Sequence, residues 1–260
     1  MDFESTNTAR CAGFAISDRM SGDGDAGLRP HSSLAFDNGD ETTGRPLSEV
    51  MRERTAQIHA EAERTGIVAD ILRRKADRQG YAVLLRNLLP VYERLEAALV
   101  QRAGHPVLAP FACRELHRSQ ALRRDLNRIH GDDFARALPL LPSAEAYADH
   151  VSWLAKDDEV ALVAHAYVRY FGDLSGGQIL KKLLGKALLL PADMLTFYEF
   201  DSLVDPAAAK RGLRAAIDLA GRMSPEPESL IAEAICAFRH NIRISCEVQL
   251  IAGGPAASPV

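Results

Sequence analysis

Ala164-His165-Ala166-Tyr167-Val168-Arg169-Tyr170-Phe171-Gly172-Asp173-Leu174-Ser175-Gly176-Gly177-Gln178-Ile179-Leu180-Lys181-Lys182 is the stretch on which the reading of this chain turns. Its flanks are good helix formers, yet three glycines interrupt the middle, each costing roughly 1 kcal/mol against alanine in a helix interior. Gly172 and Gly176 are four residues apart and share a face, so the helix offers a strip of bare backbone and is free to bend there. Two readings fit. One is a close contact with a neighbouring helix, or a simple kink. The other is a wide, planar ligand lying on the glycine face, beside which Asp173 and Ser175 set polar groups that a packing seam rarely carries.

The helical pattern extends in both directions from this segment. From Leu47, Met51, Thr55, Ile58 and Ala62 recur at three- and four-residue steps, with Ser48 as the expected N-cap. A second helix is expected from about Arg78 to Arg102, with Tyr81, Leu84, Leu85, Leu88, Tyr92, Leu95 and Leu99 on one face, closed off by Gly104, Pro106 and Pro110. A third, from about Cys113 to His130, is crowded with Arg114, His117, Arg118, Arg123, Arg124 and Arg128. Ser143 is the expected cap of a helix through Trp153, and the glycine-bearing helix is expected to run on to Leu190 and stop at Pro191. Ser224-Pro225-Glu226 reads as the start of a last helix carrying Leu230, Ile231, Ile235, Phe238, Ile242 and Val248. Strand signals are nearly absent and no repeat is visible, so the expected fold class is all-α, a single helical domain over residues 47–251.

His59 falls in line with Met51, Thr55 and Ala62. A lone histidine on such a face is commonly a satisfied core residue. Glu63, however, lies one turn on, where a carboxylate can fix the tautomer of the imidazole and turn its other nitrogen toward a metal.

Residues 1–46 are rich in Gly, Asp, Ser and Thr without a sustained period, and are expected to form a flexible extension; 252–260 are expected to be a disordered tail. The net charge of −4 supplies no field toward nucleic acid or anionic lipid. Cys11, Cys113, Cys236 and Cys246 form no C-x-x-C pair, and no signal peptide or membrane-length apolar run is apparent. The expectation is reduced thiols, no zinc cluster and a cytoplasmic protein outside the membrane.

The run from Ala164 to Tyr167, with Arg169-Tyr170 and then Gly172-Asp173-Leu174-Ser175-Gly176-Gly177-Gln178, closely resembles the signature of the biliverdin-producing heme oxygenases. Arg52-Glu53-Arg54-Thr55 followed by His59 and Glu63 is similar to that family's proximal helix. Glu115-Leu116-His117-Arg118, Lys210 with Arg214, and Ala237-Phe238 with Asn241 match further pieces in the family's order, so the resemblance covers about Leu47 to Leu250.

The resemblance implies an all-α bundle with heme between a proximal helix and a kinked, Gly-rich distal helix, and cleavage of the ring to biliverdin, iron and carbon monoxide, with the alpha-meso carbon as the expected position. His59 is then the axial ligand of the heme iron, with Glu63 beside it. Arg52, Lys210 and Arg214 face the propionates, and Tyr167 contacts the heme edge. Arg169 and Asp173 form the polar group beyond the iron, with Asp173 ordering distal water. Gly172 and Gly176 leave room for O2, Phe238 lines the pocket, and Asn241 supports that wall. Arg52 stands where a lysine is common in the family, and Ala56 where some members carry a basic residue. A neutral histidine pushes less electron density onto the iron than a thiolate, which favours splitting the O–O bond, and an acid acting through water supplies protons gently.

Electrons must come from an external donor, a ferredoxin or flavoprotein reductase, for which the basic third helix and Lys181-Lys182 offer a docking surface or a merely solvated face. A phytochrome is a recipient for biliverdin that the resemblance allows, and the chain is expected to be a monomer. Two other readings stay open: a heme carrier or sensor that never turns heme over, and a thiaminase-like or di-iron enzyme on a related helical fold, although no matched Glu-x-x-His pair is present.

Overall fold

In the computed structural model, residues 44–252 are described, and every regular element among them is helical. The expected extension over 1–46 and tail over 252–260 therefore lie almost wholly outside the described residues. Three short helices open the fold: α1 (Leu47–Arg54), α2 (Ala56–Arg64) and α3 (Gly66–Leu72). The long α4 (Arg78–Gln101) follows, then α5 (Ser119–His130), the single turn α6 (Phe134–Ala137) and α7 (Pro142–Asp157). The distal segment comprises α8 (Leu162–Ala166), a π-helical turn (Tyr167–Phe171) and α9 (Gly172–Ala187), after which come α10 (Pro206–Met223) and α11 (Pro227–Ala252).

α4 and α11 form the backbone of the core. Asp77 starts α4 by accepting from the Gly80 amide at 2.7 Å, and Tyr81, Leu85, Tyr92, Leu95 and Leu99 along it are completely buried. The seven residues named on its face from sequence all lie inside. α3 approaches α11 so closely that a Cβ on Gly66, which has φ +64°, would fall 2.4 Å from the Ser245 backbone; glycine is required there.

Several helix starts differ from expectation for one shared reason: their orphan amides are capped from distant helices. Ser48 lies inside α1, and its amide donates to Asp218 of α10 at 2.8 Å. Ser143 lies inside α7 and donates through its amide and hydroxyl to Glu247 of α11, at 3.1 and 2.7 Å. The expected helix from Cys113 begins instead at Ser119, where Glu96 of α4 accepts from the Ser119 amide at 3.1 Å, and Arg114–Leu116 form a 3₁₀ turn. A carboxylate from a neighbouring helix satisfies an N-terminus as well as a local cap does, and the local sequence carries no sign of it. The last helix starts at Pro227, later than Ser224-Pro225-Glu226 suggested; Ser224 instead accepts from the Glu226 amide in the preceding turn.

Candidate active site

The irregularity of the distal helix sits one turn before the glycines. Tyr167–Phe171 wind as a π turn, and Gly172–Ala187 resume α-helical geometry. A π turn inserts one residue into the helical ladder and commonly marks a functional site. The glycines divide sharply in what surrounds them. A Cβ on Gly177 would meet the Tyr198 ring at 3.2 Å, whereas one on Gly172 or Gly176 would meet nothing within 4 Å. Of the two readings the sequence left open, the packing contact belongs to Gly177 and the open face to Gly172 and Gly176.

Behind that face lies a buried polar network. Asp173 is only 6 % exposed and accepts a hydrogen bond from the Tyr92 hydroxyl at 2.5 Å. The Arg169 guanidinium lies 5.2 Å from the centre of the Tyr92 ring and donates to Asn241 of α11. Burial pushes the Asp173 carboxyl up to about 6, against the opposing pull of Arg169, the Tyr92 hydrogen bond and Arg118. Burial likewise works against the charge on Arg169, yet Tyr92 and Asp173 beside it hold the guanidinium charged. Its Nε is buried with no hydrogen-bond partner among the described residues, a donor that a ligand or water in the site would satisfy.

The opposite side of the site begins at α2, which buries none of its residues. His59 is therefore not the core histidine its alignment with Met51 suggested: its side chain is 55 % exposed, with Nδ1 3.8 Å from Glu63. Its ring meets the edge of Phe238 at 5.7 Å, and Phe238 stands one turn before Asn241 on α11. Neighbouring positions of α11 thus reach both sides: Phe238 meets His59, and Asn241 meets Arg169, which lies over Tyr92, the partner of Asp173.

Tyr167 gathers the cations. Burial raises its phenol, while Thr55, Arg52 and Arg214 beside it pull the other way. Arg214 also lies 5.5 Å from the Phe171 ring centre, and Lys210 stands one turn earlier on α10, half-buried. None of Arg52, Lys210 and Arg214 has an ion-pair partner among the described residues. Unpaired cations around an open apolar face suit a flat ligand with carboxylates at its rim.

The comparisons agree with this geometry. The family model for heme oxygenase matches residues 45–247. This chain belongs to the heme oxygenase family. A heme oxygenase of Guillardia theta is 34 % identical over 201 residues, 77 % of this chain and 85 % of the relative. The crystal structure of Synechocystis heme oxygenase-1 in complex with heme superposes with a TM-score of 0.74 at 33 % identity, covering 80 % of this chain and 94 % of that one. A Leptospira interrogans heme oxygenase structure gives 0.73 at 32 %, covering 78 % and 100 %.

Several residues around the open glycine face escaped the sequence reading. Tyr92 read as one more member of the α4 core face, and only the need of a buried hydroxyl for a partner hints at more. Asp125 accepts from Thr196 and Phe197 at 2.6–3.0 Å, fixing a strap whose Tyr198 packs on Gly177 and accepts from Gln178 at 2.8 Å.

The basic third helix also changes meaning. Arg118 is buried, lies 4.0 Å over the Phe200 ring and donates to the Phe197 and Glu199 carbonyls, so it is internal scaffolding. Arg123 pairs with Glu93, Arg128 with Asp193 at 3.1 Å, and Lys181 with Glu199. Arg114, Arg124 and Lys182 remain exposed. No helix among the described residues is long and apolar enough to cross a membrane.

Proposed function

We infer that this chain binds one heme on the open face of Gly172 and Gly176 and opens it, with O2 and electrons from an external donor, to biliverdin, iron and carbon monoxide. The observation that carries this reading is the pairing of that bare helix face with the buried Asp173–Tyr92–Arg169 network directly behind it. A face kept open by missing side chains would admit a flat ring, and the network would set proton donors at a fixed distance from it.

In this reading His59 would hold the heme iron. Glu63, one turn away with its carboxylate 3.8 Å from Nδ1, would orient the imidazole on closing to hydrogen-bond distance, and the Phe238 edge limits its rotation. Arg52, Lys210 and Arg214 bind the propionates, and Tyr167 contacts the ring edge. That clamp would set which edge of the ring faces the distal network, with the alpha-meso carbon as the expected position of cleavage. When bound, the heme iron supplies the oxygen-activating chemistry.

The chain's own part is positional. Gly172 and Gly176 leave room along one direction only, and the helix backbone blocks the others. Asp173 orders water and hands protons through it, and Tyr92 and Arg169 hold its carboxylate in place. A carboxyl near its midpoint close to neutrality is matched to that task.

The exposed Arg114, Arg124 and Lys182 form what remains of the docking surface for an acidic ferredoxin or flavoprotein. A monomer working in the cytoplasm and passing biliverdin to a phytochrome completes the reading. The presence of a distal acid, which a carrier or sensor has no use for, favours turnover over storage.

The test is an absorbance time course with stoichiometric hemin, ferredoxin, its reductase and NADPH in air. Decay of the Soret band with growth of a biliverdin band is expected. Reduction of bound heme without degradation would make the protein a carrier and overturn the enzymatic reading.

A further inference from the structure

A second buried polar cluster, built from none of the residues assigned above, lies where α7, α8 and α11 meet. His150 comes from α7 and His165 from α8, while Glu233, Cys236 and His240 are spaced three and four residues apart and so share one face of α11. His165 is completely buried, and Glu233, Cys236 and His240 nearly so. The Glu233 Oε1 lies 2.5 Å from His150 Nε2 and 2.9 Å from His165 Nε2. The Cys236 Sγ lies 4.0 Å from that same His150 nitrogen. The other nitrogen of His165 faces the Tyr147 hydroxyl at 3.2 Å.

These separations suit a metal ion. Ligands about 2.0–2.3 Å from a tetrahedral zinc ion stand roughly 3.4–3.6 Å from one another, and 2.5, 2.9 and 4.0 Å bracket that value. The ligand atoms of His150, His165 and Glu233 all lie within 4.8 Å of one another, as do those of His150, Cys236 and His240, so a rotamer change of the thiol is what brings Cys236 onto the first set. The donors balance in charge as well: one carboxylate and one thiolate neutralise a divalent ion that two imidazoles complete, which a buried site demands. Tyr147 behind His165 is the kind of partner that orients a ligating histidine.

His240 stacks on Tyr147 at 4.7 Å, and its Nδ1 is buried without a hydrogen-bond partner among the described residues. It flanks the cluster, with a ring nitrogen within 4.8 Å of the His150 nitrogen and the Cys236 sulfur.

We propose that His150, His165 and Glu233 bind one divalent transition-metal ion of the zinc class, with the Cys236 thiolate as the fourth ligand. The mixture of nitrogen, sulfur and oxygen donors favours a borderline-soft ion over magnesium or calcium, and a single carboxylate is too few for a di-iron centre. The ligands come from three helices, so no short sequence motif announces them. α8 leads directly into the π turn that carries Arg169, and an ion here fastens the base of the distal segment to α7 and α11.

Titration of the full-length, heme-free protein with Co2+ tests this. One equivalent should bind, giving intense visible bands of tetrahedral cobalt and a near-ultraviolet thiolate-to-cobalt band, both abolished by one equivalent of Zn2+. Cys236→Ser should remove the near-ultraviolet band and weaken binding at least tenfold, while His59→Ala should leave both bands intact. A wild-type protein showing no tetrahedral cobalt spectrum would overturn the proposal, and this outcome needs no variant to fold. Retention of the thiolate band in Cys236→Ser, or loss of the spectrum in His59→Ala, would assign the cobalt elsewhere and overturn it equally.

Discussion

The two walls of the site are held in opposite ways. The π turn and α9 are locked from behind by buried polar groups: Asp173 on Tyr92, Arg169 on Asn241, and the Tyr198 strap on Gly177. α2, which presents His59, buries none of its residues and meets the rest of the fold near His59 through the edge of Phe238. In the proposed function, the wall that would place protons is thus fixed beforehand, at the cost of a buried carboxyl. The wall that would supply a single nitrogen is held lightly. Preorganised polar geometry is worth most where charge develops, while an axial imidazole can be drawn into position by the bond it forms.

Replacing the lightly held ligand should have the largest effect. His59→Ala is expected to leave the fold unchanged, weaken hemin binding roughly 10- to 100-fold and abolish biliverdin formation, with added imidazole restoring part of it. A variant that turns over normally would show that α2 is not the proximal wall.

The glycines sharpen the contrast. Gly176→Ala points a methyl into open space, so apo-protein stability should rise by up to about 1 kcal/mol while turnover falls about tenfold through a displaced ring. Gly177→Ala pushes on Tyr198 and should gain nothing. Equal effects of the two substitutions on turnover, measured beside thermal denaturation, would erase the distinction between open and packed glycines.

Asp173 carries a pH signature. Its folded value of about 6 exceeds the ordinary 3.8, so the fold binds this proton more tightly than the unfolded chain does, and its contribution to stability is lost as pH rises through that window. Between pH 4.5 and 7.5 the wild type should lose about 2 kcal/mol relative to Asp173→Asn, read by urea denaturation at both pH values. A constant difference would mean that Asp173 is ionised throughout.

An effect on stability alone separates two arginines that the sequence could not tell apart. Arg118→Ala should cost about 2–3 kcal/mol of stability, because it removes a buried cation bonded to strap carbonyls. Arg124→Ala should leave stability within about 0.5 kcal/mol and raise only the ferredoxin concentration needed for half-maximal turnover.

That last pair shows where the sequence was legible. Helix identity came from apolar periodicity, which α4 and α11 keep over their whole length, and the glycine face came from spacing alone. The capping of the helices near Ser48, Ser143 and Ser119 was not legible, because Asp218, Glu247 and Glu96 reach them from other helices. For the same reason Arg118 passed as a surface charge and Tyr92 as a core ring: each acquires its role from a partner tens of residues away. The position of the π turn, one turn before the glycines, follows from tertiary packing that no local propensity encodes.

The division of labour between the walls is tested most directly by single-turnover biliverdin yield from hemin-loaded Asp173→Asn. The variant should bind hemin with the wild-type histidine-ligated spectrum and consume electrons, yet give at least tenfold less biliverdin. A wild-type yield would contradict the account, because the buried network behind the glycine face would then have no part in the chemistry.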